Sequence, residues 1–237
     1  MPKPRIRSDQ ADNLAKITTG KTVTVFIDAA NLYYAGSKVG IRISFEALAD
    51  WFTKHAKKVQ LNFYTAFDPE GKEQIEFLDN LVTIGYNVIK KPIKVFSTMT
   101  KGNMDIELAV DALSQFQDYD VMVLMSGDGD FSYLLQYLQS QKKVTVAVGV
   151  GGYSSHELND MADHYFFLDR LGKVWQNKLK YNQQNYKIFL DTIQDNDYNK
   201  PEETIPLTIP LNLPKKKLET LKLRIQKPNT SESKKDL

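Results

Sequence analysis

The sequence predicts an α/β fold in which a mainly parallel β-sheet lies between two layers of helices, a three-layer sandwich. Segments with strand character alternate with segments of helical periodicity from residue 22 to about residue 170. Such alternation requires right-handed crossovers between parallel strands, which place helices on both faces of the sheet. The composition agrees, because 42% of the 237 residues are hydrophobic, enough for one substantial core.

The first half of this domain is predicted to contain three strands and two helices. Residues 22–27 are rich in β-branched residues, and residues 60–67 alternate like a strand that ends at Asp68-Pro69. Residues 45–52 and 72–84 repeat apolar residues at helical spacing, and Gly85 is a typical C-terminal cap for the second of these helices. The third strand is predicted over residues 87–96.

The second half repeats the alternation, which completes the sheet near residue 170. After a glycine-rich loop at 149–152, a short helix and a last strand are expected. The predicted helices are 105–116, 131–138 and 155–161, and the predicted strands are 120–125, 143–148 and 165–168.

The remaining segments are predicted to lie outside this domain. Residues 1–21 are polar and without a pattern, so a flexible N-terminal segment is expected, and residues 171–194 have the apolar spacing of one C-terminal helix. Residues 195–237 contain five of the nine prolines and a lysine-rich stretch, which predicts an extended tail. This tail could contact nucleic acid or simply increase solubility.

The composition excludes several classes of site. Without cysteine, the chain forms no disulfide, thiolate zinc site or cysteine nucleophile, so a bound metal would be held by oxygen ligands. It contains no apolar run of ~18 residues and no signal-like start. A cytoplasmic protein without a membrane partner is therefore expected, and a homo-oligomer is compatible with the sequence.

Acidic residues stand where predicted strands end or helices begin. Asp28 and Asn31 follow the strand at 22–27, Asp128 and Asp130 follow the strand at 120–125, and Asp105 precedes a helix. Each alone is well explained as a helix cap or turn residue. The carboxyl ends of parallel strands share one edge, however, and carboxylates gathered there favour a hard cation such as Mg²⁺ or Mn²⁺.

Asp111 lies about 120° around the helix from Asp105, so a structural or supporting role is expected for it.

Three segments resemble the signature motifs of the NYN family, the LabA-like branch of the PIN-like nuclease superfamily. They are Phe26-Ile27-Asp28-Ala29-Ala30-Asn31-Leu32, Lys101-Gly102-Asn103-Met104-Asp105 and Ser126-Gly127-Asp128-Gly129-Asp130-Phe131, and the match covers residues 22–170. The resemblance implies a metal-dependent ribonuclease in which three carboxylates bind the metal, a fourth assists and two polar residues position groups around it. The metal ligands would be Asp28, Asp105 and Asp128. Asp130 would assist, and Asn31 and Ser126 would position groups around the metal.

The chemistry of these residues also fits hydrolysis of RNA. Carboxylate-held Mg²⁺ or Mn²⁺ can activate a water for attack on a phosphodiester. None of the three histidines lies near these motifs in sequence, so a histidine general base is not expected.

Single-stranded RNA is the expected partner. Phosphate contacts are possible roles for Lys101 and its neighbours, and base stacking for loop tyrosines. Taken singly, however, each residue is better explained as a surface lysine or a core-edge tyrosine. The lysines are 90, 91, 94 and 101, and the tyrosines are 33, 34 and 153.

Three other classes of function are alternatives for a chain with this predicted fold. A phosphatase of the haloacid dehalogenase type needs a second Asp two residues after the first, where this chain has Ala30. A dinucleotide-binding domain would need a Gly-x-Gly-x-x-Gly turn after the first strand, which is missing. The serious alternative is an RNA-binding or regulatory protein that has this fold and turns over little substrate.

Overall fold

A six-stranded, all-parallel sheet forms the centre of the protein in the computed structural model, which describes residues 9–96, 99–101, 103–171 and 175. Its strand order is β3-β2-β1-β6-β7-β8, and β4 and β5 form a separate antiparallel pair. The strands are β1 Thr22–Asp28, β2 Lys58–Phe67, β3 Asn87–Pro92, β4 Lys94–Phe96, β5 Met99–Lys101, β6 Val121–Met125, β7 Val144–Gly149 and β8 His164–Phe167.

Helices cover both faces of this sheet, which separates two apolar cores. Along β1, Val23, Val25 and Ile27 are buried in one core, and Phe26 points into the other. The helices are α1 Asp9–Thr18, α2 Ala29–Lys38, α3 Phe45–His55, α4 Lys72–Ile84, α5 Asp105–Ser114, α6 Ser132–Ser140 and α7 His156–Met161. The predicted three-layer α/β sandwich is therefore confirmed.

The strand order places the topological switch point beside β1. From β1 the chain adds β2 and β3 on one side, and later adds β6, β7 and β8 on the other. Ligand sites of open parallel sheets lie at such a reversal, in the crevice beyond the carboxyl ends of the strands. In this chain the ends of β1 and β6 carry Asp28 and the segment that begins at Ser126.

Two local predictions need correction. Helix α2 follows β1 directly and was not predicted, although Asp28 provides its N-terminal cap. The strand expected over residues 87–96 ends at Pro92, and the N–H of Ile93 still donates to the carbonyl of Phe67 in β2 at 2.9 Å. After Ile93, residues 94–96 pair with residues 99–101 instead of with β2.

The folded core extends beyond both expected domain limits. Residues 9–18, expected to be flexible, form α1, and its Leu14 is fully buried. At the other end, Leu171 and Trp175 are buried, and the Trp175 ring stacks on Phe52. The rest of the predicted C-terminal helix and the predicted tail lie outside the described residues. Within the described residues, no helix is long and apolar enough to cross a membrane.

The burial of Leu14 predicts that α1 contributes to stability. Leu14→Ala removes a buried side chain and leaves a cavity, so we expect the free energy of unfolding to fall by about 2–4 kcal/mol. Asn13→Ala, at an exposed position of the same helix, is the matched control. Urea unfolding measures both, and a Leu14→Ala variant as stable as the control would show that α1 does not belong to the folded core.

Candidate active site

Asp28 is a buried carboxylate at the carboxyl end of β1. Its Oδ1 accepts a hydrogen bond from the backbone N–H of Asn31 at 3.2 Å, which caps α2. Its Oδ2 accepts from the hydroxyl of Ser126 at 2.9 Å. The capping role considered from the sequence is therefore real, but the contact with Ser126 also joins Asp28 to the end of the neighbouring strand β6.

The segment after β6 is bound to the end of β1 by a second contact. The backbone N–H of Gly127 donates to the side-chain oxygen of Asn31 at 2.8 Å. Within the segment, the N–H of Asp128 donates to Ser126 Oγ at 3.1 Å. Asn31 and Ser126 thus fix the segment that carries Asp128, which agrees with the positioning roles implied by their motifs.

Asp128 and Asp130 lie in a 3₁₀ turn, Gly129–Phe131, that leads into α6. Asp128 Oδ1 accepts from the N–H of Asp130 at 3.0 Å, so Asp128 caps this turn. Asp130 is exposed, and α6 begins after it without a side-chain cap. The capping role weighed for Asp130 therefore does not account for its carboxylate.

Asp105 begins α5, but it does not cap that helix. The N-cap residue is Met104, and no side chain caps this end. The Asp105 carboxylate instead accepts a hydrogen bond from the side-chain amide of Asn103, whose own oxygen accepts from the Asp105 N–H at 2.7 Å. Asn103 therefore orients Asp105, a role missed in the sequence although the Asn-x-Asp spacing before a helix is compatible with it.

The charges of Asp105 and Asp128 lie close enough to Asp28 to affect its protonation. The pKa of Asp28 is raised from 3.8 to about 7, mainly by burial and to a smaller extent by the charges of Asp105 and Asp128, against the hydrogen bonds that lower it. The pKa of Asp105 is also raised, mainly by burial and then by the charges of Asp128 and Asp130. The structure therefore brings together the four acidic residues singled out in the sequence.

A cation lies next to this acidic cluster. Lys91, near the end of β3, contacts Glu107 of α5 with 2.7 Å between Nζ and Oε1. The charge of Lys91 lowers the pKa of Asp105, so it lies within electrostatic reach of the cluster. Lys90 lies over the ring of Phe67, 5.1 Å from its centroid. Lys101 ends β5, and its side chain lies outside the part of the chain that is described.

The loop after β7 packs against the turn that carries Asp128. The N–H of Ser155 donates to the carbonyl of Gly127 at 2.8 Å. Ser154 lies so close to Gly127 that a side chain on this glycine would meet its backbone. Sequence reasoning missed this support, because a Gly-Ser loop carries no chemical signal until the topology places it beside β6.

The other residues weighed from the sequence are spread over different environments. Tyr33 is buried among core rings, so it does not offer a surface for base stacking. Tyr153 is exposed. Asp111 accepts a hydrogen bond from the hydroxyl of buried Tyr64 at 3.0 Å, which supports the expected structural role.

The carboxylate oxygens of these acidic residues are suitable ligands for a hydrated divalent cation. Within the described residues, no group of three or more His, Cys, Asp or Glu side chains is arranged to hold a metal ion by itself. Mg²⁺, however, usually keeps several waters and needs only one or two carboxylates. Asp28, Asp105 and Asp128 supply hard oxygen ligands whose mutual repulsion a cation would relieve.

Comparisons with known proteins identify a family and relatives of this chain. A family model for the NYN domain matches residues 22–169. Low amplitude and bright protein LabA from Synechococcus elongatus is 31% identical over 157 residues, which cover 62% of this chain and 83% of LabA. A crystal structure of a protein of unknown function from Vibrio parahaemolyticus superposes with a TM-score of 0.59 at 26% identity, covering 67% of this chain and 97% of that one.

Proposed function

Because this chain belongs to the NYN domain family, whose members are generally nucleases on a PIN-like fold, we propose that it is a metal-dependent ribonuclease. The proposed substrate is single-stranded RNA, and the proposed reaction is hydrolysis of its phosphodiester bonds. The observation that carries the proposal is the electrostatic coupling of Asp28, Asp105 and Asp128 at the switch point of the sheet. Such crowding costs free energy in the absence of a cation, and a bound cation would relieve it.

Asp28, Asp105 and Asp128 are the proposed ligands of Mg²⁺ or Mn²⁺. When bound, the cation would supply an activated water and would stabilise the charge that develops on the phosphoryl oxygens. Asn31 and Ser126 hold the end of β1 against the segment after β6, so their proposed role is to keep the carboxylates in register. Exposed Asp130 is proposed to assist at the mouth of the site.

The RNA backbone is proposed to approach from the side of β3 and β5. Lys91 lies near the acidic cluster, and the strand that ends at Lys101 leads toward Asp105. Cations at this position would contact phosphates and position the strand without reading its sequence. Their charge would also offset the repulsion between the RNA backbone and the carboxylates.

Cleavage of end-labelled single-stranded RNA tests the proposal. We expect products with Mn²⁺ or Mg²⁺, none with EDTA, and a rate at least about a hundredfold lower for Asp128→Asn. Asp118→Asn is the matched control, because Asp118 is exposed and lies before β6, at the amino ends of the strands and away from the acidic residues.

Two results would count against the proposal. Cleavage that persists in Asp128→Asn would come from a contaminant or another site and would contradict the proposal. Intact RNA in every sample, with folded protein that still binds RNA, would instead favour the RNA-binding or regulatory alternative.

A further inference from the structure

The outer sides of α5 and α6 expose an apolar surface next to the acidic site. Ile106, Val110 and Leu113 follow one another at helical spacing on α5, and Tyr133 and Tyr137 do so on α6. Ile106 and Tyr133 are each 77% exposed, a large fraction for side chains of this size. We call these five residues the α5–α6 surface.

Contacts on the other sides of the two helices leave these apolar residues facing solvent. Glu107 and Asp111 of α5 contact Lys91 and Tyr64, on β3 and β2. Gln139 of α6 donates to Thr145 of β7 and to the carbonyl of Met161. Helices α5 and α6 contact each other, so the two groups of exposed apolar residues lie on neighbouring helices.

We propose that the α5–α6 surface binds a second copy of this chain and forms a two-fold symmetric dimer. From ordinary side-chain areas, its five residues expose on the order of 600 Å² per copy, close to the ~800 Å² per partner of a standard interface. This exposed area also lies at the upper end of the range for the largest apolar patch of a typical monomer, about 300–600 Å². The area therefore suits a stable dimer.

The charges on these helices favour self-association over RNA. A two-fold interface places each patch against itself, so a charged patch would repel its own copy. Residues 132–140 of α6 contain no charged residue, and Glu107 and Asp111 lie on the other side of α5. Neither helix carries a lysine or arginine that could bind phosphates. Tyrosine and aliphatic side chains are typical of protein interfaces.

The mass of the full-length chain in solution tests this proposal. Analytical ultracentrifugation over the micromolar range should give twice the mass of the 27.1 kDa chain. Val110→Glu would bury a charge in each half of the interface, so we expect the dissociation constant to rise by on the order of a hundredfold or more. Val82→Glu is the matched control, because Val82 of α4 is 57% exposed and Val110 is 56% exposed.

A dimer that is lost in Val110→Glu and kept in Val82→Glu supports the proposal. A wild-type chain that remains monomeric overturns it and leaves the surface to a different protein. A dimer that Val110→Glu leaves intact also overturns it, because copies would then meet elsewhere. If Val110→Glu does not fold, Tyr133→Ser decides: the dissociation constant should rise at least about tenfold, and an unchanged value refutes the proposal.

Discussion

Asp28→Asn should strongly slow metal-dependent RNA cleavage and, without metal, make the protein more stable above about pH 7. The two effects have opposite signs because the same carboxylate is proposed to bind the cation and is costly to bury without one. Loss of this ligand should lower the cleavage rate by roughly a hundred- to a thousandfold. If Asp28 had only a structural role, its replacement would make the protein less stable.

The sign of the stability effect follows from the pKa of Asp28. Burial raises it from 3.8 to about 7, so the folded protein binds this proton more tightly than the unfolded chain does. Below pH 3.8 both states are protonated and the shift costs nothing. As the pH rises from 3.8 through about 7, the free energy of unfolding falls progressively, by at most about 4 kcal/mol in total. Asparagine does not ionise and avoids this loss.

Urea unfolding in EDTA at about pH 4 and about pH 8 measures the difference. We expect Asp28→Asn to gain roughly 1–3 kcal/mol relative to wild type between these values, because only the wild-type carboxylate ionises over this range. Any hydrogen bond that the amide loses, such as the one from Ser126, costs the same at both pH values and cancels in the comparison. Asp118→Asn should show no such change. A stability difference for Asp28→Asn that is independent of pH would refute the raised pKa.

Gly127→Ala should impair both folding and activity, because no space exists for a side chain at this position. An added Cβ would lie 2.5 Å from Ser154 Oγ and 2.9 Å from its Cα, so the backbone of one loop must move. That movement disturbs the hydrogen bonds of Gly127 with Asn31 and Ser155. We expect a loss of about 1–3 kcal/mol in stability and roughly a hundredfold in cleavage rate.

Gly151→Ala is the matched control for this prediction. A Cβ at Gly151 would meet its nearest atom, Asp169 Oδ1, at 3.5 Å, which is ordinary van der Waals contact. Thermal unfolding and the RNA cleavage assay compare the two variants under the same conditions. If Gly127→Ala were as stable and active as Gly151→Ala, the close packing of the two loops would not matter for the site.

Much of the fold was predictable because it depends on local patterns. The alternation of strand and helix predicts parallel strands, and helix 72–84 agrees with α4 at both ends. Its C-terminal end was predictable because Gly85 provides a left-handed cap. Helices α1 and α2 were not predicted. Residues 9–18 are mostly polar and bury Leu14, and α2 was obscured because its start coincides with the motif around Asp28.

The sequence by itself determined the candidate acidic residues and the sheet edge on which they belong, because strand ends can be located from the apolar period. Only the tertiary structure decided how they meet. The hydrogen bond from Ser126 to Asp28 joins residues 98 positions apart, and it exists because β1 and β6 are neighbours in the sheet. Burial of Asp28, its raised pKa and the exposed α5–α6 surface likewise depend on which elements pack together, and local sequence patterns carry no information about contacts at that separation.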